Sequence, residues 1–454
     1  TEIYTLSLHD ALPILGALGY AVWQGRRAEM RFNQVRQLAR TVMFDLHDQV
    51  QDLPGSLGAR KMIVDKSLVY LDTLAADTSA SADVQLDLAR GYLRLADIEG
   101  RDYGGSSLGR SEDALRHALQ AVKIARRLMQ SAPRDPVAKQ TMVDALEYAT
   151  TAYTVRGGLD QARPLGEEAV RLAEQLVKER PDSEDDVMRL ATVTKQLADV
   201  HSKGDSHDKA LRLFERNLEL RKKLYERDPE DVRRQQRLAE AHNWLSTEMS
   251  WAKDFRGGEE HARESLRLNE LRGKKQPRLA RAHIASDALQ LAMLSLRGKR
   301  HEEAVQYLER TLELRREMAK EDPKNAVAAL RVAAALNRMG LAYREWGRYP
   351  EAIRYGKESV TAVKAVRKAD TRNMTAGREA IFALSDLALS YDKAGQRNEA
   401  CKLARETLAL SHEVRVSAQT KPAMDKMARM AAACAAGRLP GLGGRRDVGK
   451  GAGG

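Results

Sequence analysis

Ten histidines and two cysteines are the residues here with the widest chemical range. His201 and His207 flank a turn six residues apart, with no Cys, Asp or Glu set at ligand spacing, so no metal is expected. Cys401 and Cys434 have no metal spacing either and say little about redox compartment. The run GRRDVGK (444–450) mimics a phosphate loop, but Gly451 stands where a Ser or Thr would reach magnesium. No strand pattern precedes that run and no helix pattern follows it. Asp254-Phe255-Arg256 is not the kinase Asp-Phe-Gly, and the other kinase motifs are missing. No Gly-x-Ser-x-Gly occurs, and no Cys–His pair is placed for nucleophilic work. The expectation is therefore no catalysis and no cofactor.

Composition points to binding by a helical scaffold. Of 454 residues, 43% are apolar, 31% charged and only 5% aromatic, with a net charge of +12. Ala, Leu, Arg and Glu dominate, which favours helix, and Val and Ile are sparse. The positive balance suggests an affinity for acidic surfaces, although Lys and Arg on solvated helix faces would give the same total. Nucleic acid is not the expected partner, because residues for base stacking are few.

A spacing pattern organises the chain. Leu336, Gly340, Tyr343, Gly347 and Ala352 stand at steps of 4, 3, 4 and 5. This large, small, aromatic, turn-glycine, alanine order resembles the tetratricopeptide signature. Seven alanines mark second helices of seven hairpins: Ala114, Ala162, Ala210, Ala262, Ala304, Ala352 and Ala400, at steps of 48, 48, 52, 42, 48 and 48. Apolar residues recur 8, 10 and 14 positions after each, and prolines 19 after several (Pro133, Pro181, Pro229, Pro323). The Ala262 unit breaks the register, with Glu270, Arg272 and Gln276 at those offsets. Tyr153, Tyr343 and Tyr391 hold the aromatic position nine before the alanine. The usual unit of 34 residues is lengthened by about two turns per helix, which preserves the inward face. The predicted fold is an all-α, right-handed superhelical solenoid of long hairpins, residues 83–436, ending in a capping helix.

The flanks read differently. Residues 1–14 (TEIYTLSLHDALPI) resemble a translated sequencing-adapter peptide and are set aside as non-native. Residues 15–25 read as the remnant of a transmembrane helix, since the apolar run falls short of about 20 residues and ends in Tyr20, Trp23 and arginines. Residues 26–82 form a helical hairpin that caps the array, and the insertion at 100–111 is a loop in the first repeat. Residues 437–454 are glycine-rich, basic and expected to be disordered.

Two segments carry a wider resemblance. GRRAEMRFNQVRQLARTVMFDLHDQVQDLPGSLGARKMIVDKSLVYLDTLA and LARGYLRLADIEGRDYGGSSLGRSEDAL resemble the region after the membrane helix in acidobacterial-type transmembrane serine/threonine protein kinases with C-terminal tetratricopeptide repeats. No catalytic or ATP-binding residue can be carried over, because no position matches those motifs. The resemblance implies a sensor or docking region that binds a protein or peptide, with membrane attachment through the truncated helix and the repeats outside the cytoplasm. Self-association remains open. The alternative is a stand-alone scaffold or a regulatory domain of a cytoplasmic signalling or transcription protein.

In tetratricopeptide folds the first helices line the concave surface. Offsets of 15, 11 and 8 before the alanine then nominate Glu147, Thr151 and Thr154; Lys195, Asp199 and Ser202; Asn337, Leu341 and Arg344; Ser385, Leu389 and Asp392. The set lacks a carboxylate clamp and suits an extended peptide held by hydrogen bonds and shallow apolar contacts. Lys195 and Arg344 are expected to be exposed, so that reversing their charge leaves stability unchanged.

Overall fold

The computed structural model describes residues 82–100 and 110–436, apart from Lys324, Arg372, 411–412 and 415–419, together with isolated positions before 82. Residues 1–14, most of 15–81, the insertion at 101–109 and the tail from 437 lie outside the described residues, and with them the adapter, membrane-remnant, capping-hairpin and tail expectations. Every described element is a helix. In order they are α1 (Ala82–Gly100), α2 (Ser111–Ser131), α3 (Pro136–Arg156), α4 (Leu159–Glu179), α5 (Glu184–Lys203), α6 (His207–Arg227), α7 (Val232–Trp251), α8 (Phe255–Lys275), α9 (Pro277–Arg297), α10 (His301–Glu321), α11 (Ala326–Glu345), α12 (Tyr349–Ala369), α13 (Met374–Lys393), α14 (Arg397–Leu410) and α15 (Lys421–Ala435). The fold is an all-α solenoid of tetratricopeptide-like hairpins.

The repeat is written into both ends of each hairpin. First helices open on side-chain caps: Asp135 accepts from Val137 N at 3.0 Å, Ser183 from Asp186 N at 3.3 Å, and Asp231 from Arg233 N at 2.7 Å. Asn325 and Asn373 repeat the bond with Ala328 N and Ala376 N at 3.0 and 2.9 Å. Each cap satisfies a backbone donor that the first helical turn leaves without a partner. The turn into the second helix needs one residue with positive φ, held by Gly157, Asp205, Lys253, Lys299, Gly347 and Gly395. Three of these are glycines, for which the left-handed region carries no side-chain clash.

That backbone series corrects one sequence assignment. The left-handed residue lies five before Ala162, Ala210, Ala304, Ala352 and Ala400, so Lys253 points to Gly258 rather than Ala262. α8 likewise begins three residues before Gly258, as the other second helices begin three before their alanines. With Gly258, Leu266, Leu268 and Arg272 fall at offsets 8, 10 and 14, all buried, and Pro277 falls at 19. The fourth hairpin is therefore in register. A Cβ on Gly258 would lie 3.1 Å from the Ser246 carbonyl, so the close helix crossing that takes alanine elsewhere takes glycine here. Ala262 is buried as well, one turn further along the same face.

The chain divides into two compact units, residues 1–220 and 221–454. In the first, α1 to α5 pack in sequence, and the first helices α1, α3 and α5 also touch one another. Its core includes Leu95, Ile98, Met142, Leu146 and Leu176, all at most 2% exposed. In the second, α7 to α15 pack in sequence, and the first helices again touch: α7 with α9, α11 with α13, α13 with α15. The same buried bond recurs in both units, from a second-helix polar side chain to a first-helix carbonyl 26 residues earlier. Asn217 reaches Ala191 O at 2.6 Å, Ser265 Ala239 O at 2.9 Å, Thr311 Ala285 O at 3.3 Å, and Ser359 Ala333 O at 2.8 Å. Tyr343, buried, stacks on Tyr355 with ring centroids 5.5 Å apart and lies beneath the Arg348 guanidinium at 5.4 Å. Tyr391 is also buried and carries Lys357 over its ring, whereas Tyr153 is half-buried.

Cys401 of α14 and Cys434 of α15 form a disulfide with Cα atoms 6.0 Å apart. Met424, Met427 and Met430 of α15 are buried in the same core. The spacing of 33 residues carried no hint of this pairing, because it depends on α15 folding back along α14.

Candidate functional site

Each first helix leaves one stripe of side chains uncovered by its neighbours. Measured back from the register residue, the stripe falls at offsets 18, 14, 11 and 7. In α5 these are Thr192, Gln196, Asp199 and Lys203, and in α3 Asp144, Tyr148, Thr151 and Val155. In α11 they are Ala334, Arg338, Leu341 and Glu345, and in α13 Phe382, Asp386, Leu389 and Lys393. Thr151, Asp199, Leu341 and Leu389 fall on this stripe and are half-buried.

The offset of 15 is different. Glu147, Lys195, Asn337 and Ser385 are 5%, 8%, 6% and 4% exposed. One residue turns a helix by about 100°, so this column points at the neighbouring first helix instead of outward. Gln196 Nε2 donates to Glu147 Oε1 at 3.0 Å, and Thr151 Oγ1 donates to the same oxygen at 3.4 Å. Asn337 Nδ2 donates to Asp386 Oδ2 at 2.9 Å, and Lys195 Nζ to Asp199 Oδ2 at 2.6 Å. The column at 8 is mixed: Thr154 is buried and bonds back to Thr150 O, while Ser202 and Asp392 are half-buried. Arg344 is also half-buried, its Nη1 on Asp386 O at 2.8 Å and its Nη2 on Asp386 Oδ1 at 2.9 Å. The expectation that Lys195 and Arg344 are free surface charges is thus overturned.

Polar side chains also bridge adjacent first helices along the stripe. Gln140 donates to Asp186 at 2.7 Å and Arg189 Nε to Asp144 at 2.9 Å. Burial raises the Asp144 carboxyl pKa, with Arg189 opposing it. Within the second unit, Asp287 of α9 is buried and accepts from Asn243 at 2.9 Å, Ser265 at 2.8 Å and Asn269 at 2.7 Å. Burial pushes Asp287 up to about 6 despite those donors. Beside it His242 and His261 place their Nδ1 atoms 2.9 Å apart, and burial followed by the neighbouring imidazole lowers His242 to about 4. Among the described residues no group of three or more His, Cys, Asp or Glu could hold a metal ion. Among them, too, no helix is long and apolar enough to cross a membrane.

Residues 284–365 match the family model described as tetratricopeptide repeat. Residues 383–415 match a second model of the same description. Curated proteins gave no match. Among solved structures the chain is similar to BtubC (BKLC) from P. vanneervenii, at 20% identity and TM-score 0.45, covering 58% of this chain and 92% of that one. It is also similar to the apo form of RapI, at 11% identity and TM-score 0.49, covering 88% and 99%. A Rap protein complexed with competence and sporulation factor matches at 15% identity and TM-score 0.42, covering 73% and 76%.

Proposed function

We propose that this chain is a protein-interaction module that holds an extended peptide along the exposed first-helix stripe. The observation that carries the reading is the regular recurrence of half-exposed residues at offsets 18, 14, 11 and 7, backed by a column of buried hydrogen bonds that keeps the helices in place. An extended peptide meets such a surface with its own backbone polar groups and alternate side chains. The sequence resemblance extends the proposal to the C-terminal sensor or docking region of a membrane-bound serine/threonine kinase. The disulfide between Cys401 and Cys434 supports repeats that face an oxidising compartment, as an extracytoplasmic sensor would.

The test is a photo-crosslinking residue placed singly at Thr151, Gln196 and Leu341 on the stripe, and at Arg216, Glu260 and Glu313 on second helices, with a random peptide pool as probe. Crosslinks from the stripe positions alone support the reading. Crosslinks confined to the second-helix positions overturn it. For the kinase extension, the upstream coding sequence decides: an in-frame kinase and a complete membrane helix support it, and their absence refutes it.

A further inference from the structure

Large apolar side chains are seldom exposed on these helices. Of the seven exposed among residues 82–436, three are aromatic: Trp251, Phe255 and Trp346, at 62%, 37% and 36%. All three flank turns from a first helix into a second, Trp251 and Phe255 at α7–α8 and Trp346 at α11–α12. The α9–α10 turn between them joins the set. Its Arg297 lies over the Phe255 ring at 5.3 Å, and its His301 stacks on Trp346 with ring centroids 6.2 Å apart. Three consecutive turns of the second unit thus make one continuous edge. The turns at 157–158, 204–206 and 394–396 have no Trp, Phe or Tyr at or beside them. The same edge carries strained lysines. Lys253 and Lys299 hold the left-handed positions of the first two turns, at φ 66° and 58°, where Gly157, Gly347 and Gly395 serve elsewhere. A lysine there costs stability that glycine would spare, so the turn itself does not explain the side chain. Both lysines are exposed. Arg256, Arg300 and Arg348 on this edge are paired with Glu260, Glu259 and Glu351, whereas neither lysine meets a carboxylate within 4.0 Å among the described residues. Asp254, the one carboxylate within the three turns, is committed to capping α8 and accepts from Gly257 N at 3.0 Å.

We propose that this turn edge docks on an anionic bilayer surface, with Trp251, Phe255 and Trp346 seated among the headgroups and Lys253 and Lys299 on lipid phosphates. The edge meets the first-helix stripe only at Trp251, and the proposal does not depend on a peptide being held there. Exposed rings beside cations suit either a nucleic acid or a bilayer, and the ring geometry separates the two. Base stacking needs an open ring face. The Phe255 face is covered by Arg297. Trp346 lies nearly parallel to Tyr343 and to His301, at 11° and 13°, and the Arg348 guanidinium stands 5.1 Å from its ring. These two rings therefore present edges to solvent. Aromatic edges among cations settle at headgroup level, where an amphipathic ring is half in water and half in hydrocarbon. Lysines at the same depth add attraction to anionic lipid. Charge and apolar surface are thus complementary to one partner along one edge.

The test is co-sedimentation of the full chain with phosphatidylcholine vesicles made with and without phosphatidylserine. The chain is expected to partition onto the phosphatidylserine vesicles and to leave them as salt rises. Lys253→Gly with Lys299→Gly separates docking from folding. Glycine suits both turns, so Tm is expected to hold or rise, while partition onto the anionic vesicles falls about thirtyfold. Trp251→Ser, at a largely exposed position, is expected to weaken partition with Tm unchanged. All variants share residues 1–81, so any contribution from that segment cancels in the comparison. Equal partition onto the two kinds of vesicle, or parent-like partition of the glycine pair, overturns the proposal. An oligothymidylate that binds the parent and not the glycine pair, with no partition onto vesicles, makes the partner a nucleic acid and overturns it as well.

Discussion

Lys299, with φ of 58°, occupies a left-handed turn position that Gly347 fills one repeat further on, at φ 81°. A side chain there costs about 1 kcal/mol. Lys299→Gly is therefore expected to raise the urea midpoint of unfolding by an amount equivalent to about 1 kcal/mol, and Gly347→Ala to lower it similarly. No atom lies within 4 Å of a Cβ built on Gly347, so the second effect isolates backbone strain from crowding. Arg344 supplies a sharper test of burial. Arg344→Glu sets a new carboxylate against Asp386 and is expected to cost about 2 kcal/mol or more, seen as a clear drop in Tm. An unchanged Tm would mean that the Arg344–Asp386 pair contributes nothing in solution.

At the scale of the helix pair, Gly258 decides how closely α8 crosses α7. A branched side chain has no space against the Ser246 carbonyl, so Gly258→Val is expected to destabilise by about 3 kcal/mol, measured by chemical denaturation. If the true register residue were Ala262, that change would be mild. The terminal pair α14 and α15 depends on a covalent link. Opening a loop of 33 residues removes about 4 kcal/mol of loop-closure constraint in the chain-entropy account. Reduction, or Cys434→Ser, is expected to speed hydrogen exchange in α15 first, because among the described helices it packs only on α13 and α14.

Three buried groups of the second unit, His242, Asp287 and Glu240, carry large shifts that make its stability depend on pH. His242, lowered to about 4, contributes stability that is present above about 6.5 and lost as pH falls toward 4. Asp287, raised to about 6, acts oppositely: its ionised form is disfavoured in the fold, so stability is gained as pH falls from about 6 toward 4. Burial pushes Glu240 up, but bonds from His283, Gln236 and Arg237 hold it at about 2, so its contribution is lost only below about 4.5. Between about pH 6 and 4 the contributions of His242 and Asp287 therefore oppose each other. His242→Gln is therefore expected to gain stability relative to the parent between pH 6.5 and 4, by on the order of 2 kcal/mol, in urea titrations at several pH values. No relative gain would mean that His242 is not held neutral in the fold.

The amino-acid sequence by itself determined the repeat: Ala162, Ala210, Ala304, Ala352 and Ala400 recur because each is the small residue at a helix crossing, and local chemistry enforces it. The prolines at offset 19 and the turn residues at offset 5 are likewise local, and Gly258 and Pro277 belonged to the same series, 48 residues after Ala210 and Pro229. Ala262 obscured them because the crossing tolerates glycine as well as alanine. What only the tertiary structure decided is which polar residues face outward. Glu147, Lys195 and Asn337 differ from the exposed stripe by a single residue, about 100° of helix rotation, and whether that angle meets solvent or a neighbouring helix depends on packing between hairpins. The same holds for the disulfide, which joins residues 33 apart in the sequence.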